Sequence, residues 1–132
     1  MNAKLRSSIT VGPFSIMFCN VNKEMGLAGH CHFAEVYCEF DTLASTGFPS
    51  FEETHNVVQE VLKDVTDRKS FKDHTNEKVA LALFEIVDSM ESPEFDKYGG
   101  QWKLRALTLR VRGVPDHIGH ANGFTEYKVE RL

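Results

Sequence analysis

Residues 8–20 read SITVGPFSIMFCN and alternate apolar with polar side chains, which is the pattern of a β-strand with one buried face. The apolar members fall into two groups of opposite parity: Ile9 and Val11, then Phe14, Ile16 and Phe18. Gly12 and Pro13 separate the groups, and a β-bulge at this point would bring both groups to one face. The stretch therefore predicts one long strand that contains a bulge.

A second strand is predicted directly downstream, at residues 31–40, where the alternation resumes. One side of this strand would carry His32, Ala34, Val36, Cys38 and Phe40. The other side would carry Phe33, Glu35, Tyr37 and Glu39. Residues 21–29 are rich in turn formers, so we expect a loop there that joins the two strands into an antiparallel hairpin.

Two amphipathic helices should follow the hairpin. Ser50 and Glu53 have the spacing of a capping box, in which each side chain satisfies a free backbone amide at a helix start. The apolar stripe of this helix would be Val57, Val58, Val61, Leu62 and Val65. A second helix is predicted from about Thr75 to about Met90, with an apolar stripe of Val79, Leu83, Ile86, Val87 and Met90.

Residues 102–112 and 124–130 predict two further strands, which makes the order ββααββ. We expect an α+β fold in a single domain, residues 1–132, with two helices on one face of a four-stranded antiparallel sheet. The other face would be bare and both sheet edges free, which favours edge-to-edge association. We therefore expect a homo-oligomer with ligand pockets where subunits meet.

The composition narrows the function classes. The chain has 132 residues, of which 42% are hydrophobic, and a formal net charge of −4, so a general nucleic-acid binder is not expected. Its apolar runs are far shorter than the roughly 20 residues that cross a bilayer, so no membrane partner is expected. Cys19, Cys31 and Cys38 form no CxxC pair and no even set, which predicts ordinary reduced thiols in a cytoplasmic protein.

Five short segments carry a family resemblance: FSIMF at 14–18, GHCH at 29–32, Asp41 with TGF at 46–48, TDRKSF at 66–71 and TNEKVA at 75–80. In the same order they resemble the segments Phe-Ser-Ala-Ala-His, His-Gly-His-Asn-Tyr, Asp-x-x-Thr-Gly-Met, Leu-Asp-His-x-x-Leu and Pro-Thr-x-Glu-Asn-Leu-Ala. These belong to the 6-pyruvoyl-tetrahydropterin synthase and 6-carboxytetrahydropterin synthase family of the tunnelling fold (T-fold). The resemblance spans nearly the whole chain and implies a T-fold, a pterin-like ligand and zinc.

Four positions depart from that family at its functional residues. The first-strand zinc histidine is replaced by Phe18, and the catalytic cysteine falls near Gly26. The catalytic histidine is replaced by Arg68, which stays protonated near neutral pH. The glutamate that anchors the pterin ring falls near Gly113. The resemblance therefore supports the fold and the ligand class without assigning the family's standard reaction.

His30 and His32 are the metal candidates. Alternate residues of a strand share a face, so two imidazoles at this spacing can converge on one zinc ion. Cys19 could supply a third ligand as a thiolate, and His117 or His120 could do so from the turn before the last strand. The alternative is that His30 and His32 bind no metal.

Two acidic residues are candidates for the ligand chemistry. Asp67 is the residue to test for proton handling if pterin chemistry is retained, although it can equally form an exposed turn pair with Arg68. Glu77 lies near the ring-anchoring glutamate of dihydroneopterin aldolase, a second T-fold relative. It can equally complement the dipole of the second helix.

Three functions remain open at this stage. The first is a divergent T-fold protein that binds a pterin- or purine-like heterocycle, with lyase activity like that of 6-pyruvoyl-tetrahydropterin synthase as its catalytic form. The second is a metal-dependent hydrolase or lyase of other specificity. The third is a non-catalytic oligomeric scaffold that kept the fold and lost the site.

Overall fold

The computed structural model describes residues 2–3, 7–22, 27–42, 51–66, 71, 74–90, 103–112 and 123–132. Its elements are β1 (Ser7–Asn22), β2 (Leu27–Thr42), α1 (Phe51–Thr66), α2 (Asn76–Asp88), β3 (Lys103–Arg112) and β4 (Phe124–Glu130). The four strands form one antiparallel sheet in the order β1-β2-β3-β4. The predicted α+β fold with ββααββ order is therefore confirmed.

The first hairpin is longer than the side-chain pattern predicts. β1 and β2 pair as far as Asn22 and Leu27, so both strands extend into the stretch expected to be a loop. The alternation of apolar and polar residues stops earlier than the pairing does. Strands pair through backbone N–H and C=O groups, and every residue type except proline has both. The hydrogen bonds between two strands can therefore continue beyond the residues whose side chains alternate.

The bulge predicted at Gly12 and Pro13 is present. The register shifts between Val11 and Phe14, so that both halves of β1 bury their apolar side chains on one face. Gly12 has a φ of 132°, and the peptide bond between Gly12 and Pro13 is cis. A Cβ atom at Gly12 would lie 2.6 Å from the backbone oxygen of Val36, so the position suits glycine alone.

Both helices cover the same face of the sheet. Their buried residues join those of the strands in one apolar cluster; they are Val58 and Leu62 of α1 with Val79, Ala80, Leu83 and Val87 of α2. α1 contacts β1, whereas α2 contacts β3 and β4. The predicted helix stripes are confirmed at these positions, with Ile86 and Met90 packed at the margin of the cluster. No helix in the described part of the chain is long and apolar enough to cross a membrane.

A second register shift changes the face of the first two basic residues of β3, Lys103 and Arg105. Glu39 lies opposite Ala106, and Phe40 lies opposite Leu104, so β3 has an extra residue at Arg105. The Arg105 guanidinium lies 3.2 Å from Asp41, on the face away from the helices. Strict alternation along β3 would place Arg105 on the face opposite Arg110 and Arg112, but the bulge rotates it onto their side.

Candidate functional site

The helix-covered face carries a histidine near one end of the first hairpin. His32 lies opposite Phe18 in the register, and their ring centroids are 5.3 Å apart with a tilt of 41°. Phe18 is buried and His32 is half-buried. The predicted face of His32, shared with Ala34 and Val36, is thus confirmed.

A turn before α2 brings a second histidine to this region. The backbone amide of His74 donates a hydrogen bond of 3.0 Å to the carbonyl oxygen of Phe71. The hydroxyl of Thr75 then accepts from the amide of Lys78 at 3.3 Å and caps the helix. Together these bonds fix the backbone at His74 against the start of α2.

Four rings lie in series from β2 to α2, and we call them the ring row: His32, Phe18, Phe71 and His74. Phe18 and Phe71 meet edge to face at 6.1 Å, and Phe71 meets His74 at 5.9 Å. Both phenylalanines are buried. The row therefore joins two imidazoles through an apolar centre that belongs to the core.

His74 Nδ1 is the unusual atom of the ring row. It is buried and has no hydrogen-bond partner among the described residues. Buried polar atoms in folded proteins nearly always have a partner, so an unpaired ring nitrogen marks a position where a ligand or a water can bind.

Of the two acidic candidates, the structure describes one. Glu77 is exposed in the first turn of α2, three residues after His74, where its carboxylate complements the helix dipole. Its predicted position at the helix start is confirmed, and its anchoring role stays a prediction. Asp67 lies outside the described residues.

The proposed metal ligands are not assembled in the described part of the chain. Cys19 follows Phe18 and therefore lies on the opposite face of the sheet from His32. It is also disulfide-bonded, and a disulfide sulfur lacks the thiolate charge that zinc requires. In this arrangement Cys19 does not lie beside His32, and the phenyl ring of Phe18 occupies the position across from His32. The role of Cys19 as a ligand stays a prediction.

The other ligand candidates remain untested. His30 lies opposite Asn20 in the register, and its side chain is outside the described residues, as are His117 and His120. Among the residues that the structure describes, no three His, Cys, Asp or Glu side chains form a group that could hold a metal ion. The zinc site therefore stays a prediction.

The expectation of ordinary reduced thiols is wrong for Cys19. The disulfide-bonded Cys19 lies opposite Cys31 in the backbone register, a proximity that their spacing in sequence conceals. Cys38 is a free thiol, as expected, and it is fully buried. Burial raises the pKa of the Cys38 thiol to about 12, so it is neither a nucleophile nor a metal ligand near neutral pH.

The open face of the sheet, which the helices do not cover, carries paired charges. Arg112 reaches Glu35 at 2.8 Å, and Arg110 lies 3.3 Å from Glu126. The hydrogen bond from Arg112 holds the pKa of Glu35 below its usual value. Among the described residues, Glu35 thus has an ion pair across the strands, and Glu39 has none.

Two cavities lined entirely by described residues flank the sheet. The larger, about 350 Å³, lies between β1 and α1, where His55 packs on Phe14 with ring centroids 4.7 Å apart. The smaller, about 230 Å³, lies on the open face. Its lining residues are Thr10, Tyr37, Glu39, Ala106, Thr108, Arg110, Glu126 and Lys128.

Sequence reasoning did not single out Phe71 or His74 as functional. His74 was predicted to be a turn residue, which is correct, but its contact with Phe71 depends on the fold. The one feature of the sequence that could have indicated this contact is the spacing of Phe71 three residues before His74, at the start of a helix.

The chain matches no model of a known protein family, and no curated protein matches it.

Proposed function

We propose that this protein binds a planar nitrogen heterocycle of the pterin or purine type at the ring row. The observation that carries the proposal is the buried, unpaired Nδ1 atom of His74 at the end of a series of aromatic rings. The order of family-like segments in the sequence supports this ligand class over other planar molecules.

The chemistry of the ring row suits such a ligand. The Phe71 ring packs edge to face on the His74 imidazole, and an imidazole nitrogen can donate or accept one hydrogen bond to a ring nitrogen or carbonyl. Glu77, one helical turn beyond His74, offers a carboxylate that can accept from the adjacent N–H groups of an aminopyrimidinone. β1 and β4 are the edge strands of the sheet that the structure describes, which supports a homo-oligomer in which a neighbouring subunit closes the pocket.

Catalysis is a narrower proposal than binding. A lyase of the 6-pyruvoyl-tetrahydropterin synthase kind needs groups that move protons, and Asp67 is the candidate that the sequence supplies. Phe18 and the disulfide-bonded Cys19 instead favour a binding or scaffold protein that has lost the family's zinc chemistry. A cytoplasmic location also stays a prediction, and the disulfide weighs against it, since disulfides persist mainly in oxidising compartments.

Calorimetric titration with neopterin, biopterin and guanine tests the binding proposal. We expect saturable binding of at least one compound, and the variant His74→Phe, which keeps a ring and loses the nitrogens, should weaken it by roughly ten-fold or more. His55→Phe is the matched control, because His55 is also half-buried against a phenylalanine but lies outside the ring row. Absence of binding by all three compounds, or equal binding by His74→Phe, would refute the proposal.

Metal content and oligomeric mass separate the remaining alternatives. Mass spectrometry of untagged, chelator-free protein should find about one zinc per chain if His30 and His32 are ligands, and His32→Ala should lose it. A metal-free oligomer that binds no heterocycle would instead favour the scaffold function. If the wild-type protein contains no zinc, the variant Phe18→His tests the position of the family's zinc site. It adds an imidazole opposite His32, as the third beside His30 and His32, and zinc binding by this variant would locate that site.

A further inference from the structure

Glu39 differs from the other acidic residues on the open face. Among the described residues, Glu35, Asp41, Glu126 and Glu130 each have a basic partner within 3.4 Å. The carboxylate of Glu39 has neither an ion pair nor a hydrogen bond in the described part of the chain, although the residue is half-buried on a central strand. Glu39 therefore lacks a counter-charge among the described residues.

The cavity of about 230 Å³ on the open face lies over Glu39. In the register, Thr10 of β1 and Ala106 of β3 lie on either side of it. The small side chain of Ala106 leaves space that a larger residue would fill. Thr10 and Thr108 line the cavity as well, so two hydroxyl oxygens can accept hydrogen bonds there.

The cations that line the cavity are engaged elsewhere. The guanidinium of Arg110 lies between the rings of Tyr37 and Phe124, at 4.9 and 4.8 Å from their centroids, and its Nε is 3.3 Å from Glu126. Lys128 lies 3.4 Å from Glu130. In this arrangement neither cation pairs with Glu39, and its carboxylate faces the cavity without a counter-charge.

We propose that the open face binds a small organic ammonium ion, with Glu39 as its counter-charge. A primary ammonium group has three N–H donors, and the cavity presents three matching acceptors: the Glu39 carboxylate and the hydroxyls of Thr10 and Thr108. The alkyl part of the ligand would lie over Ala106 and the edge of Tyr37. This site is separate from the ring row and does not depend on the heterocycle proposal.

Titration of ¹⁵N-labelled protein with n-butylammonium chloride, followed by amide chemical shifts, tests the site. Ionic strength is held constant with potassium chloride, and n-butanol serves as the uncharged probe of similar shape. We expect saturable shifts for residues of β2 and β3 around Glu39 with butylammonium, and none with butanol.

Two variants and one control assign the interaction. Glu39→Gln should weaken butylammonium binding by roughly ten-fold or more, the size expected for loss of one charge-assisted hydrogen bond. Thr108→Val removes one acceptor at nearly constant shape and should weaken binding to a smaller degree. Glu60→Gln on the exposed surface of α1 makes the same change in net charge and should leave binding unchanged. Equal effects of Glu39→Gln and Glu60→Gln, or shifts away from the cavity, would overturn the proposal.

Discussion

Replacing Gly12 with Ala tests how far the bulge in β1 determines the structure. The backbone at Gly12 has a φ of 132°, a conformation that residues with a Cβ atom rarely adopt. The new methyl carbon would also lie 2.6 Å from the oxygen of Val36 and 3.1 Å from Cα of Tyr37. Both contacts are with the backbone of β2, which is paired on both sides and cannot move without disturbing the sheet.

The expected loss of stability combines two costs. Strained backbone conformations cost about 1–3 kcal/mol, and overpacking costs a further 1–3 kcal/mol or so. We therefore expect Gly12→Ala to lower the free energy of unfolding by about 3 kcal/mol or more. With a urea dependence of about 2 kcal/mol per molar, the unfolding midpoint should fall by about 1.5 M.

Equilibrium urea unfolding, followed by far-ultraviolet circular dichroism, measures this difference. Gly123→Ala is the matched control, because a Cβ atom at Gly123 would meet nothing within 4 Å. That variant should be neutral or stabilised by about 0.4–1 kcal/mol, since alanine restricts the unfolded chain. If Gly12→Ala and Gly123→Ala have the same midpoint, the strain and contact argument for Gly12 is refuted.

Three further predictions concern the thiols and the core. Cys19 is disulfide-bonded and Cys38 is a free thiol. Thiol titration of the denatured, unreduced protein should therefore find one reactive thiol among the three cysteines. A higher number of reactive thiols would contradict the disulfide. Burial raises the Cys38 pKa from 9.0 to about 12, so the folded state holds a proton that the unfolded state releases, and stability should fall as pH rises through this window. Relative to Cys38→Ala, the wild type should lose about 1.4 kcal/mol per pH unit there, and parallel pH profiles would exclude the effect. Leu83→Ala should cost about 3 kcal/mol in urea unfolding because Leu83 is fully buried, whereas Leu81→Ala, at a position 53% exposed, should change little; equal losses would contradict the assigned helix faces.

Hydrophobic periodicity was sufficient to predict the order of elements and the buried face. Phe14, Ile16 and Phe18 are buried as their spacing indicates, and Leu83 and Val87 of α2 are buried at helical spacing. Periodicity carries this information because buried positions favour apolar side chains, and the secondary structure determines which residues share a face.

Features that depend on register were not predictable in the same way. The disulfide at Cys19 requires two strands to align within one residue, and the pairing of Arg105 with Asp41 requires a bulge in β3 that no proline or glycine marks. The ring row likewise depends on contact between β1 and the turn before α2. Such contacts join residues that are far apart in the chain, so the local sequence pattern cannot predict them.

Among the described residues, the first hairpin extends beyond the part of it that pairs with β3. β1 and β2 pair from Ser7 to Asn22, whereas the described pairing of β2 with β3 begins at Ala34. In the described part of the chain, the backbone amides of residues 27–33 can therefore exchange hydrogen with solvent when this two-stranded ribbon opens locally. The amides of residues 34–41 can exchange only when the sheet itself opens. His32 lies just on the ribbon side of this boundary. A substitution there should therefore change the local opening of residues 27–33 more than the unfolding of the sheet.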